Sequence, residues 1–147
     1  MKIIVFLMLI CLLIVPVSIL NAGNFLSVQD AWVLEAPPGM KVMAAYMIIK
    51  NSSENSYELS SISSAQFEKV EMHRTIIENE QARMEKQNRM TVNAGDTLKF
   101  EPGGSHLMLF NPEVRLKSGD EVDLSLKLNN GIIIDVKAQV RNHSEMQ

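Results

Sequence analysis

The chain has 147 residues, 46% of them hydrophobic and 21% charged, with a formal net charge of −3. That length suits one ordinary domain with a single core, and the mildly acidic balance excludes the basic footprint of a nucleic-acid binder. The one cysteine, Cys11, excludes an intrachain disulfide framework.

Taken in order, Met1-Lys2 supplies a minimal positive start and residues 3–20 are almost wholly apolar. Leu20-Asn21-Ala22 then offers a cleavage site before Gly23, so residues 1–22 read as an export signal and residues 23–147 as the mature domain. The rival is an uncleaved anchor, because this apolar run sits at the lower limit for a spanning helix. Bulky Ile10 ahead of Cys11 argues against lipidation there. Without Lys2 the mature chain carries 13 basic and 17 acidic residues, near −4, and it has no thiol at all.

The mature stretch reads as strand throughout. Apolar alternation predicts strands over 26–34, 41–50, 57–63, 67–77, 83–91, 97–101, 106–110, 122–128 and 132–140. A polar turn at 78–81 makes a hairpin of the fourth and fifth. Pro102-Gly103-Gly104 breaks the chain before the seventh, and Asn129-Asn130-Gly131 signals a closing hairpin. Phe67 and Glu68 fit the alternation poorly, so the fourth strand either starts at Lys69 or carries a bulge there. No segment has a helical period. The fold expected is all-β, an antiparallel sandwich or barrel.

Four soft or borderline metal ligands punctuate this framework: His73, Met84 after ten intervening residues, His106 after twenty-one more, and Met108 two positions on. Imidazole with thioether, lacking thiolate and carboxylate, suits Cu(I) better than zinc, calcium or magnesium. In the fourth strand Val70 and Met72 should face the core, leaving His73 outward beside Lys69 and Glu71. Met84, between Arg83 and Glu85-Lys86, is not obviously recruited for packing and can reach His73 across the hairpin. His106 and Met108 share one face, Leu107 and Leu109 the other, and Phe110 could rim the site against water. Singly, each has a bland reading as a surface or half-buried strand residue. At this chain's His and Met frequencies the full pattern should arise by chance only about twice in ten thousand sequences.

The spacing H-x10-M-x21-H-x-M resembles the signature of the periplasmic copper chaperones called PCu(A)C. Asp30-Ala31-Trp32, Ala36-Pro37-Pro38-Gly39, Ala44-Ala45-Tyr46-Met47, Val70-Glu71-Met72-His73 and Pro102 to Leu109 look like stretches of that family. The resemblance implies a cupredoxin-like Greek-key β-sandwich or barrel and one Cu(I) per chain on His73, Met84, His106 and Met108. It further implies a periplasmic protein of Gram-negative type that supplies copper toward the CuA centre of cytochrome c oxidase. The acceptor would be a Sco-type copper protein or oxidase subunit II. A monomer is expected, touching the membrane only through residues 1–22 if these stay attached. Arg74-Thr75 and Lys86 stand where many members have further methionines, so an auxiliary methionine site or alternative coordination is not expected, while the four ligands stand. The short tail, with His143 and Met146, is expected to be a loose end rather than a second metal site.

Other classes fare worse on the residues. A blue-copper electron carrier needs a cysteine thiolate that the mature chain lacks. An enzyme is not expected, since no HExxH, nucleophile elbow or phosphate loop occurs and thioethers do not suit a hydrolytic zinc. General periplasmic copper buffering and a metal-independent exported binding module remain as alternatives.

Overall fold

The computed structural model describes residues 25–146; the expected export segment and Cys11 lie outside the described residues. In chain order the strands are β1 (Leu26–Leu34), β2 (Val42–Asn51), β3 (Tyr57–Ser63), β4 (Phe67–Glu78) and β5 (Gln81–Gln87). They continue with β6 (Met90–Val92), β7 (Thr97–Phe100), β8 (Ser105–Pro112), β9 (Glu121–Leu128) and β10 (Ile133–Arg141). One 3-10 turn, His143–Met146, follows. The all-β expectation holds.

Period-two alternation builds the core. In β9, Val122, Leu124, Leu126 and Leu128 are buried while Glu121, Asp123 and Lys127 are exposed. Met43, Ala45, Met47 and Ile49 do the same for β2. The strands form one sheet in the order β5-β4-β8-β7-β2-β1-β10-β9-β3-β6, which rolls up so that β3 meets β4 and β6 meets β7. Every strand except β5 contributes a residue to the buried core cluster.

Three details depart from the sequence expectations. The sheet is mixed, because β1 and β10 run parallel through Trp32↔Gln139, Val33↔Val140 and Leu34↔Arg141. Parallel neighbours need a long crossover, and here the rest of the domain provides it. The predicted strand 83–91 is two strands broken at Asn88-Arg89, and its halves lie at opposite ends of the sheet. Finally, β4 begins at Phe67 and keeps an unshifted register with β8 from Phe67↔Pro112 to Arg74↔Ser105. Phe67 leaves a turn through its N–H on Ser64 O (3.4 Å), and its ring goes into the core while Glu68 stays exposed.

Candidate metal site

The hairpin β4–β5 turns through Asn79 and Glu80, both with positive φ (50° and 65°), and closes on the pair Glu78↔Gln81. Two left-handed residues in a two-residue loop make a type I′ turn, whose twist matches that of the strands. The turn sets Met84 opposite Thr75 and Lys86 opposite His73. On the other side of β4, His73 faces His106 directly and Glu71 faces Met108, which has Ala44 of β2 as its second neighbour. Alternation therefore places His73, Met84, His106 and Met108 on one face of three adjacent strands.

That face is more sheltered than the alternation suggested. His106 is buried at 7% exposure and the His73 side chain is 13% exposed. The two rings stack with centroids 5.9 Å apart, tilted by 27°. Met84 alone is open to solvent, at 62%. Met84, His106 and Met108 line a groove of about 610 Å³ whose apolar wall includes Pro37, Met40 and Tyr46. Phe110, expected as the rim, lies farther along β8 beneath the Lys69 ammonium, 4.4 Å from its ring centre.

Hydrogen bonds fix which nitrogen of each histidine is free. A type II turn, with Pro102 leading, Gly103 at φ +80° and Gly104 N–H on Glu101 O (3.0 Å), aims the Gly104 carbonyl back at the site. His106 Nδ1 lies 3.1 Å from that oxygen, which also accepts the Thr75 N–H at 3.2 Å. A carbonyl only accepts, so Nδ1 carries the proton and Nε2 keeps its lone pair. His73 Nε2 lies 3.0 Å from Glu71 Oε2. The Glu71 carboxyl is held down at about 2, chiefly by its hydrogen bond to Lys86 (2.7 Å), then by His73 and by Lys69 (3.1 Å). An ionised carboxylate also only accepts, so the His73 proton is on Nε2. Its Nδ1, buried and with no hydrogen-bond partner, offers a bare lone pair.

Among the described residues, no three His, Cys, Asp or Glu side chains group as a metal site would require. Any ion held here must take thioether sulfur alongside imidazole nitrogen, a donor set for a soft cation. Two groups escaped the sequence reading. Glu71 was taken only as a charged neighbour, although the i, i+2 spacing to His73 puts both on one face. His143 was assigned to a loose end, yet residues 142–145 form a turn tied to Ser118 Oγ through Glu145 (2.9 Å), and His143 lines the groove.

Residues 26–140 match the family described as "Putative lipoprotein LpqE-like". The chain belongs to this family, which is of the PCu(A)C type. A relative from Leifsonia xyli subsp. xyli, "Putative lipoprotein Lxx21020", is 28% identical over 91% of this chain and 82% of its own. The Cu(I) form of DR1885 from Deinococcus radiodurans superposes with a TM-score of 0.66 at 28% identity, covering 86% of this chain and 87% of that one. The copper-bound PCuAC domain of PmoF2 gives 0.68 at 19% identity, covering 80% and 93%, and speaks for the shared fold alone. Family members thus share this β-sandwich, and no helix among the described residues is long and apolar enough to cross a membrane.

Proposed function

We propose that this chain is an exported copper chaperone that binds one Cu(I) through His73 Nδ1, His106 Nε2 and the sulfurs of Met84 and Met108. The observation that carries this reading is the buried, unpartnered Nδ1 of His73 beside the free Nε2 of His106. A buried polar atom without a partner is costly, and a metal ion is the partner that the neighbouring thioethers favour. The copper of the Deinococcus radiodurans relative supports the choice of ion.

Cu(I) has a filled shell and accepts four neutral donors without geometric strain. Thioethers bind it less strongly than thiolates, so the cargo stays transferable to a thiol-bearing acceptor. Met84, the one exposed donor and the only one on an edge strand of the described sheet, is the ligand an acceptor reaches first. The acceptor in this reading is a Sco-type protein or oxidase subunit II, with delivery toward CuA. Residues 1–22 direct export to the periplasm. Catalysis has no part in the reading, since both imidazoles and both thioethers serve the ion.

Titration with Cu(I) against a chromophoric chelator tests this. The chain from Gly23 onward should take one equivalent, Met84→Ala/Met108→Ala should lose it, and His73→Ala should weaken it by more than about tenfold. A wild type that never competes with the chelator sinks the reading in favour of a metal-independent module. Tight binding without transfer to a reduced CuA domain would leave copper buffering as the role.

A further inference from the structure

The free edge of the sheet carries a self-complementary strand. Among the described residues, β5 pairs only with β4, adds nothing to the core, and is exposed along most of its length. Beyond Arg74↔Ser105 and the Thr75 N–H on Gly104 O, no described residue pairs with β4 on its β8 side, so the tip of the hairpin is a two-stranded ribbon among the described residues. Its exposed Ile77 (74%) and Met84 share one face. The opposite edge strand, β6, is three residues long and offers no comparable template.

The turn dictates which backbone groups of β5 are free. In a two-residue hairpin the flanking pair, Glu78↔Gln81, exchanges hydrogen bonds, and bonded pairs then alternate along the ladder. Gln81, Arg83, Glu85 and Gln87 thus spend their N–H and C=O groups on β4. Ala82, Met84 and Lys86 point theirs outward, where no described strand meets them.

We infer that this edge pairs with its own copy, β5 against β5 in antiparallel register about a two-fold axis through Met84. In the sequence Gln81-Ala82-Arg83-Met84-Glu85-Lys86-Gln87, Arg83 and Glu85 stand at equal distances on either side of that centre with opposite charges. Met84 meets its twin and Ala82 meets Lys86, the outward backbone groups bonding at each. Arg83 of one copy then stands across from Glu85 of the other, twice, at the closer non-hydrogen-bonded spacing. Shifting the register by two either way sets Arg83 against Arg83 or Glu85 against Glu85, which like-charge repulsion disfavours. Within one chain these side chains already sit together on one face, Arg83 paired with Glu85 and 3.6 Å from Glu78. Charges on a strand edge usually block pairing; arranged symmetrically, they select it. The arrangement is isologous and closed, so it stops at two copies. It departs from the monomer expected from the sequence and does not depend on any metal.

The ten described strands and the core cluster they form lie within residues 25–146, so the chain from Gly23 onward serves for the test, kept metal-free with a chelator. Sedimentation equilibrium should show a reversible dimer with a dissociation constant on the order of 10–100 µM, as suits one small strand interface. Arg83→Glu and Glu85→Arg should each weaken it at least about tenfold, and equimolar mixing of the two should restore a dimer of one each. Near-ultraviolet circular dichroism from Trp32 checks that both variants keep the fold. A wild type that remains monomeric to about 1 mM, single variants that dimerise like the wild type, or a mixture that stays monomeric would each overturn the proposal.

Discussion

His73 and His106 face each other across β4 and β8 with rings 5.9 Å apart, and each is held by a different acceptor at one ring nitrogen while the other is left free. Glu71 takes the Nε2–H of His73, and the Gly104 carbonyl takes the Nδ1–H of His106. The pair therefore presents Nδ1 from one ring and Nε2 from the other. Such outer partners set the tautomer and orientation of a ligating imidazole. Glu71→Ala should lower Cu(I) affinity about 10–100-fold without touching any donor atom, while Glu71→Gln, whose amide oxygen can still accept, should cost less. Competition against a chelator measures both, and equal losses would show that the charge matters rather than the geometry.

The same carboxylate makes stability depend on acid. Lys86, His73 and Lys69 lower the Glu71 pKa to about 2, below its value in the unfolded chain. A group depressed on folding contributes fully above its unfolded pKa, and the contribution fades as pH falls toward the folded value. Glu71→Gln should therefore unfold at a temperature that varies less between about pH 4.5 and about pH 2 than that of the wild type. Thermal unfolding of the two metal-free proteins, followed by far-ultraviolet circular dichroism, gives the comparison. Parallel curves through that window would show that Glu71 loses nothing on protonation.

Much of the site was legible because strand alternation is a strict rule. Leu107 and Leu109 are fully buried, which obliges His106 and Met108 to share the other face. The turn at 78–81 set Met84 on the strand next to His73, opposite Thr75 and on the same face, because two residues suffice to reverse a strand. Pairing between distant strands was not legible. Nothing local in Trp32-Val33-Leu34 announces Gln139-Val140-Arg141 as a parallel neighbour. Nor does Gln87-Asn88-Arg89-Met90 reveal that its two sides part for opposite ends of the sheet. Glu71 escaped for another reason: its role rests on rotamers and on Lys86 across the hairpin, which sequence spacing does not specify.

Gly103 is the position where the backbone aims His106. At φ +80° it occupies the third place of a type II turn, a conformation that costs a side-chain-bearing residue about 1–2 kcal/mol. No atom would clash with a new Cβ there, so Gly103→Ala isolates the backbone effect. The variant should fold with stability lower by about 1–2 kcal/mol in urea, and its Cu(I) affinity should fall as the Gly104 carbonyl shifts under His106. Reduced stability with unchanged affinity would mean that the turn anchors the fold but does not orient the ligand.

Asn51 tests whether stability and the site can be separated. It is buried at the end of β2, where Nδ2 donates toward the carbonyls of Asn55 (2.7 Å), Asn93 (2.9 Å) and Val92 (3.2 Å). Its Oδ1 accepts from Ser53 N (3.0 Å) and Ser53 Oγ (2.8 Å). One side chain thus ties the 52–56 loop to the link between β6 and β7. Asn51→Ala strands several of these groups away from water and should cost about 2–3 kcal/mol, lowering the unfolding midpoint by roughly 10 °C. Asn51 lies seven residues along β2 from Ala44, the neighbour of Met108, or about 23 Å at strand rise. Cu(I) affinity measured below the midpoint should therefore match the wild type. A parallel loss of affinity would show that the far end of β2 helps hold the ligand face in place.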